Sequence, residues 1–222
     1  MTLREWSLVV RYTVAVLRDS NRIEEIHRVA EITSRGRFTA LLQALRAGGR
    51  EPDMLRQRPQ LAPPIVDLDV LRQLPPETLG GAYARHLDRY RLEMFADETP
   101  EDHIDDPDVR YLIQRYRQVH DIWHVLLGLG TRGHEEVLVH AFVLGHLGLP
   151  VSAMIVLLGG LKHIVFERRW AALRHAVREA FDSGRDAEPL LLVQWENLWS
   201  EPVDGLRQRY GIRPSTPAWV EG

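Results

Sequence analysis

The 222-residue chain contains no cysteine. That excludes a disulfide framework, thiolate metal sites, a cysteine-held iron–sulfur cluster and a cysteine nucleophile. Lysine is almost as scarce: Lys162 is the single lysine among 28 basic residues, so arginine carries the positive charge. Strand signals are missing, with no alternating apolar run closed by a hairpin turn. No apolar run reaches the length of about 20 residues that a membrane-spanning helix needs; the longest covers residues 151–161. Arg4, Glu5 and Arg11 interrupt the N-terminal apolar stretch, which is unlike a secretory signal.

The remaining composition is that of a globular protein, 45% hydrophobic and 27% charged. A chain of this length buries roughly 70% of its unfolded surface and needs no staple. Its net charge of −3 gives no electrostatic case for nucleic acid. The first fifty residues hold nine Arg against five acids. That excess favours an anionic membrane surface, though salt screens it.

Apolar residues recur at helical spacing along most of the chain. Trp6, Val9, Val10, Thr13, Val16 and Leu17 predict an amphipathic helix over 3–18. A second helix is predicted over 23–45, with a break at Gly36, and residues 47–64 read as a long connection. A short helix is expected over 67–74, and Thr78 is placed to cap a helix bearing Tyr83, Leu87 and Tyr90. Further helices are predicted over 108–127 and 134–147, joined by a glycine-rich turn. Two more runs follow, 152–181 with an interruption at Gly159–Gly160, and 189–210. The fold class is all-α: one helical-bundle domain over 1–222 with a helical hairpin near 120–136.

That segment carries the chemistry. His120 and His124 are four apart and share a helix face, with Asp121 at its edge. A short turn would return the next helix antiparallel and set Glu136 opposite His124. Two imidazoles and two carboxylates suit a divalent cation, and a set using three of them leaves a position for water or substrate. In a chain with ten histidines, an H-x-x-x-H pair alone is weak evidence; the added Asp and Glu strengthen it. His140 lies four residues beyond Glu136 and reads as a neighbour of the site or a helix-face residue. Trp123 is expected to face away and pack, and His86, His103, His146 and His163 have no partner visible in the sequence.

The string H-D-x-x-H-x11-E, formed by His120, Asp121, His124 and Glu136, resembles the signature of the coenzyme Q (ubiquinone) biosynthesis protein four family. Thr78, Leu79, Gly80 and Tyr83 are similar to its T-L-G-x-x-Y segment. The approach through Arg115, Tyr116 and Arg117, the turn Gly148–Leu149–Pro150 and the pair Trp195–Glu196 also fit, so the likeness spans about 60–212. The resemblance implies an all-helical homodimer acting in ubiquinone biosynthesis. It implies one divalent metal held by the four motif residues, zinc first, with iron, manganese or magnesium as alternatives. His120 and Asp121 are also taken as catalytic. The implied reaction is oxidative decarboxylation at C1 of a polyprenylated hydroxybenzoate, making the protein a lyase or oxidoreductase. The implied partners are a polyprenylated or isoprenoid lipid, a peripheral membrane surface and other ubiquinone-pathway enzymes, with no nucleic acid.

The chain departs from the family in showing no mitochondrial presequence, which suggests a bacterial, cytoplasmic and membrane-peripheral setting. Arg115, Arg117, Tyr83 and His140 are weaker candidates for binding substrate. Arg115 and Arg117 could instead pair with Asp105, Asp106 or Asp108, and Tyr83 could be core. A lipid groove could draw on Trp6, Val9, Val10 and Leu17, or on Met154, Val156, Leu157 and Leu158. Competing readings are a non-catalytic lipid-binding scaffold, related chemistry on another aromatic acid, and an HD-type phosphohydrolase using His86 and Asp182.

Overall fold

The computed structural model describes residues 2–18, 23–47, 53–95, 104–167 and 170–215; the side chains of 16–18, 23, 24, 26, 161–167 and 170–172 lie outside the description. Among the described residues there is helix and no strand, apart from an isolated bridge between Thr78 and Pro202. The helices are α1 (Leu3–Arg18), α2 (Ile23–Ala47), α3 (Asp53–Gln57), α4 (Leu68–Arg72), α5 (Leu79–Tyr90), α6 (Pro107–Leu127), α7 (Gly133–Leu147), α8 (Pro150–Glu167), α9 (Trp170–Asp186) and α10 (Val203–Tyr210). A single 3₁₀ turn covers Trp195–Asn197.

Three expectations are corrected. The helix predicted over 23–45 runs through Gly36 without a break. A glycine inside a helix costs only about 1 kcal/mol, and Ile32, Phe38 and Leu42 on the same helix are buried. Helix α8 likewise passes unbroken through Gly159 and Gly160. Gly159 makes room for α7, since a Cβ there would lie 2.5 Å from Cγ2 of Val137. The run predicted over 189–210 is helical only from Val203. Its first part is an irregular segment that buries Leu190, Leu191 and Trp195, with the indole N–H of Trp195 donating to the Leu190 carbonyl at 3.2 Å.

The chain divides into two compact units. The first comprises Met1–Arg58, Asp97–Gln114 and Leu149–Val151. In it α1 packs on α2, and Glu5 pairs with Arg35 at 2.7 Å. Asp108 receives both Arg46 and Arg58.

The second unit comprises Pro59–Ala96, Arg115–Gly148 and Ser152–Gly222 and holds every residue of the candidate site. Local chemistry fixes its helix ends. Thr78 Oγ1 accepts from Gly81 N at 3.3 Å, capping α5. The next free N–H groups of α5 go to the segment before α10: Leu79 N to the Glu201 carbonyl and Gly80 N to that of Trp199, both 2.8 Å. A Cβ at Gly81 would overlap the Pro75 carbonyl, so the T-L-G-G start is set by close backbone approach. Helix α6 ends at Gly128 with φ 71, and Arg207 of α10 donates to its last-turn carbonyls, Leu126 at 2.7 Å and Val125 at 3.3 Å. Glu135 accepts from Gly130 N and Arg132 N at 2.9 and 3.0 Å, holding the start of α7.

Helices α7 and α9 meet closely. A Cβ on Gly145 would overlap the Phe181 carbonyl, and one on Gly184 the Phe142 carbonyl. His146 ties the same contact to the following segment: Nδ1–H donates to the Gly184 carbonyl at 3.0 Å and Nε2 accepts from Leu190 N at 3.1 Å. Both ring nitrogens are therefore used by the neutral imidazole, a partnership invisible in the sequence.

Candidate metal centre

Helix α6 carries His120, Asp121 and His124, and α7 carries Glu136 and His140. One ligand atom from each of His120, His124 and Glu136 falls within 4.8 Å of the others. The two imidazole rings on α6 are 4.8 Å apart between centroids, as the four-residue spacing predicts. His124 is fully buried, and its Nδ1 lies 2.9 Å from the Gly130 carbonyl. That bond makes Nδ1 the protonated nitrogen of the neutral ring and leaves the Nε2 lone pair facing Glu136, whose Oε1 is 3.5 Å away. Metal-ligating histidines are commonly oriented by such a bond to a backbone carbonyl.

The donor set fits a divalent ion. Nε2 of His120 and Nε2 of His124 are both buried without a hydrogen-bond partner. A buried nitrogen left so costs about 1–3 kcal/mol, and coordination would offset it. Without an ion, burial alone would raise the Glu136 carboxyl, yet the adjacent His124 ring brings it down to about 2. Burial works against the His124 imidazolium, but Glu136 outweighs it and raises that group.

Asp121 stands beside the triad. Its Oδ1 is 3.7 Å from Nδ1 of His120; burial would raise its carboxyl, but the surrounding histidines, His120 foremost with His124 and His86, together lower it. Tyr83 is buried and stacked on Trp199 at 5.5 Å. Burial first, then the Asp121 charge, raises its phenol above the ordinary range and keeps it protonated. The His140 ring is 5.6 Å from that of His120, and its Nδ1 is 3.2 Å from the buried Ser152 hydroxyl. Burial, reinforced by the His120 charge, pushes His140 down to about 3. Trp123 is buried against Tyr116, Phe142 and His146, as expected of a packing residue.

The arginines are placed differently from the simplest expectation. Arg115 is fully buried and donates to Glu196 and to the Val193 carbonyl, each at 2.7 Å. Its partner is thus Glu196 and none of Asp105, Asp106 or Asp108. Arg117 is buried with its guanidinium 5.7 Å from the Phe95 ring centroid.

His86 joins the centre without having been singled out for it. It is 9% exposed on α5, with its ring 5.4 Å from that of His124. The one available sequence signal was its position three residues after Tyr83, on the same helix face. Asp182, its supposed companion in a phosphohydrolase, instead pairs with Arg178 and Arg185 on α9. His103 and the side chain of His163 lie outside the described residues.

An all-helical scaffold with a two-histidine, one-glutamate cluster defines a candidate metalloprotein. The family model for "Coenzyme Q (ubiquinone) biosynthesis protein Coq4" matches residues 1–216. The chain therefore belongs to the Coq4 family of ubiquinone biosynthesis proteins. It is 31% identical to the mitochondrial ubiquinone biosynthesis protein COQ4 of Coprinopsis cinerea, over 87% of this chain and 66% of that protein. It is 31% identical to the mitochondrial COQ4 homolog of Bos taurus, over 93% of this chain and 77% of that one. The chain thus spans about two thirds to three quarters of these relatives' length. Its fold matches a crystal structure of a candidate ubiquinone biosynthesis protein from Nostoc punctiforme with a TM-score of 0.73 at 23% identity, covering 93% of this chain and 96% of that one. The two curated relatives are mitochondrial and eukaryotic, and lend no support to a bacterial setting. No described helix is long and apolar enough to cross a membrane.

Proposed function

We propose that this chain carries out a metal-dependent oxidative decarboxylation at C1 of a polyprenylated hydroxybenzoate in ubiquinone biosynthesis. The observation behind this reading is the pair of buried, unpartnered Nε2 atoms on His120 and His124, beside Glu136, in a chain of the Coq4 family. His120, His124 and Glu136 would hold the ion, with Asp121 as the fourth group. Zinc suits this nitrogen and oxygen set, as do iron and manganese. A bound divalent ion would supply Lewis acidity that stabilises negative charge on the ring carboxylate or phenolate. The reaction releases the carboxylate as carbon dioxide and places a water-derived hydroxyl on the same carbon, while the two electrons and two protons removed reduce dioxygen to hydrogen peroxide.

The chain's own groups have definable roles. Tyr83 stays protonated and can donate to a substrate oxygen. Ser152 and His140 hold the wall behind His120. The prenyl tail requires apolar surface, and Leu157 of α8, in the same unit as the centre, is exposed. On this reading the protein works as a membrane-peripheral homodimer alongside other pathway enzymes.

The test uses purified protein with metal occupancy confirmed by elemental analysis. With dioxygen and a prenylated hydroxybenzoate, carbon dioxide and the C1-hydroxylated product are expected, and both are lost in His124→Ala. Unchanged turnover in His124→Ala refutes the site. Binding without turnover at full occupancy refutes the chemistry and makes the chain a lipid-holding scaffold.

A further inference from the structure

Of the residues around the triad, His86 is the one that neither motif spacing nor packing explains. It sits at a position where a phenyl ring or leucine would fill the same space at no polar cost. Instead α5 places an imidazole there, and its Nε2 is buried with no hydrogen-bond partner. The ring packs on Tyr90 at 5.0 Å and on His124 at 5.4 Å between centroids. A bare nitrogen in such a place is costly, which is a poor use of a core position and a sensible use of a site wall.

We propose that Nε2 of His86 is the hydrogen-bond donor for an oxygen atom bound at the metal centre, and so orients a carboxylate or phenolate there. This rests on the metal reading above. It adds a second group from α5, beside Tyr83, to a site whose proposed metal ligands come from α6 and α7. The ring stands against that of His124, one of the proposed ligands, with its Nε2 left over for a bound molecule. An N–H there distinguishes an oxygen ligand, which accepts the bond, from an apolar molecule, which cannot.

Cobalt(II) and benzoate are the probes. Wild-type protein loaded with one cobalt per chain is titrated with benzoate, reading the visible cobalt absorption. His86→Phe keeps the ring and removes the donor, while His86→Gln restores an N–H at a similar reach. The expected result is unchanged cobalt stoichiometry in both variants, benzoate affinity about tenfold weaker in His86→Phe, and most of that loss recovered in His86→Gln. Equal benzoate affinity in wild type and His86→Phe overturns this proposal alone. Loss of cobalt in His86→Phe overturns it by making His86 a ligand. Wild-type protein that takes up no cobalt overturns the metal reading as well. A measurement without substitution guards against misfolding: in zinc-loaded wild type, the His86 ring N–H becomes protected from exchange when benzoate is added, and an unchanged resonance refutes the bond.

Discussion

Arg115 gives the sharpest energetic test. It has no solvent exposure, and the carboxylate that neutralises it, on Glu196, is 16% exposed at 2.7 Å. Apart from Glu196, the guanidinium donates to the Val193 carbonyl, while Nε and Nη1 have no hydrogen-bond partner. In Glu196→Ala the guanidinium cannot lose its proton and cannot reach water without moving the buried segment before α10. Removing one partner of a buried pair costs about 3–5 kcal/mol. For a chain of this size that is a fall in melting temperature of roughly 6–20 °C. Replacing both residues with apolar ones, Arg115→Met with Glu196→Leu, removes the charge together with its partner and should recover much of the loss. Urea unfolding with chelator present keeps metal binding from masking the difference. A cost below about 1 kcal/mol for Glu196→Ala, or a double variant no better than the single one, refutes the claim that Glu196 is needed to neutralise this charge.

The neutral state of His146 makes stability depend on pH. Burial lowers its ring below the ordinary value, the Gly184 bond pulling the other way, so between the folded value and about 6.5 the unfolded chain binds more protons. Its contribution is complete above about 6.5 and is lost as pH falls, with a slope of at most about 1.4 kcal/mol per pH unit. Metal-free His146→Gln should show a shallower slope between pH 7 and 5, and equal slopes contradict the assignment. Gly145→Ala sets a methyl against the Phe181 carbonyl and should cost about 1–3 kcal/mol. Because α7 also bears Glu136, the same variant should weaken zinc binding in a chelator competition, and unchanged stability rules out the close contact. Arg207→Met removes two donors from the last carbonyls of α6 and should cost about 1–3 kcal/mol in urea unfolding. Trp6→Glu puts a charge on the exposed apolar face of α1; sedimentation with anionic vesicles should fall several-fold, and undiminished binding removes α1 from the membrane contact.

The centre divides cleanly into what the sequence exposes and what only the fold supplies. The clustering of His120, His124 and Glu136 is legible because the relevant distances along the chain are short: four-residue spacing puts His120 and His124 on one helix face, and Glu136 lies in the first turn of the next helix. Thr78 was legible as a cap for the same local reason. Gly36, Gly159 and Gly160 look like breaks in the sequence because glycine propensity is local and weak, whereas packing carries both helices through. The stretch 189–202 was misread because buried apolar residues in an irregular segment show the same crowding as a helix face. His86, His146 and Arg115 belong to a third kind. Their partners, His124, Leu190 and Glu196, lie 38, 44 and 81 positions away, and no periodicity links residues that far apart.

That third kind bears directly on the chemistry. A ligand set drawn from one helix and its neighbour narrows which ions can bind, but it leaves open which face of the ion meets substrate. Groups arriving from elsewhere in the chain settle that question. His86 and Tyr83 come from α5, whose start is held by the Trp199 and Glu201 carbonyls, and Ser152 supports His140 from α8. Loosening the start of α5 should therefore alter oxygen-ligand binding while sparing metal uptake. Gly81→Ala drives a methyl into the Pro75 carbonyl without touching any ligand. Full cobalt occupancy with weakened benzoate binding is the expected outcome, read by the same visible titration. Benzoate affinity unchanged in a destabilised Gly81→Ala protein would show that α5 does not shape the open face of the site.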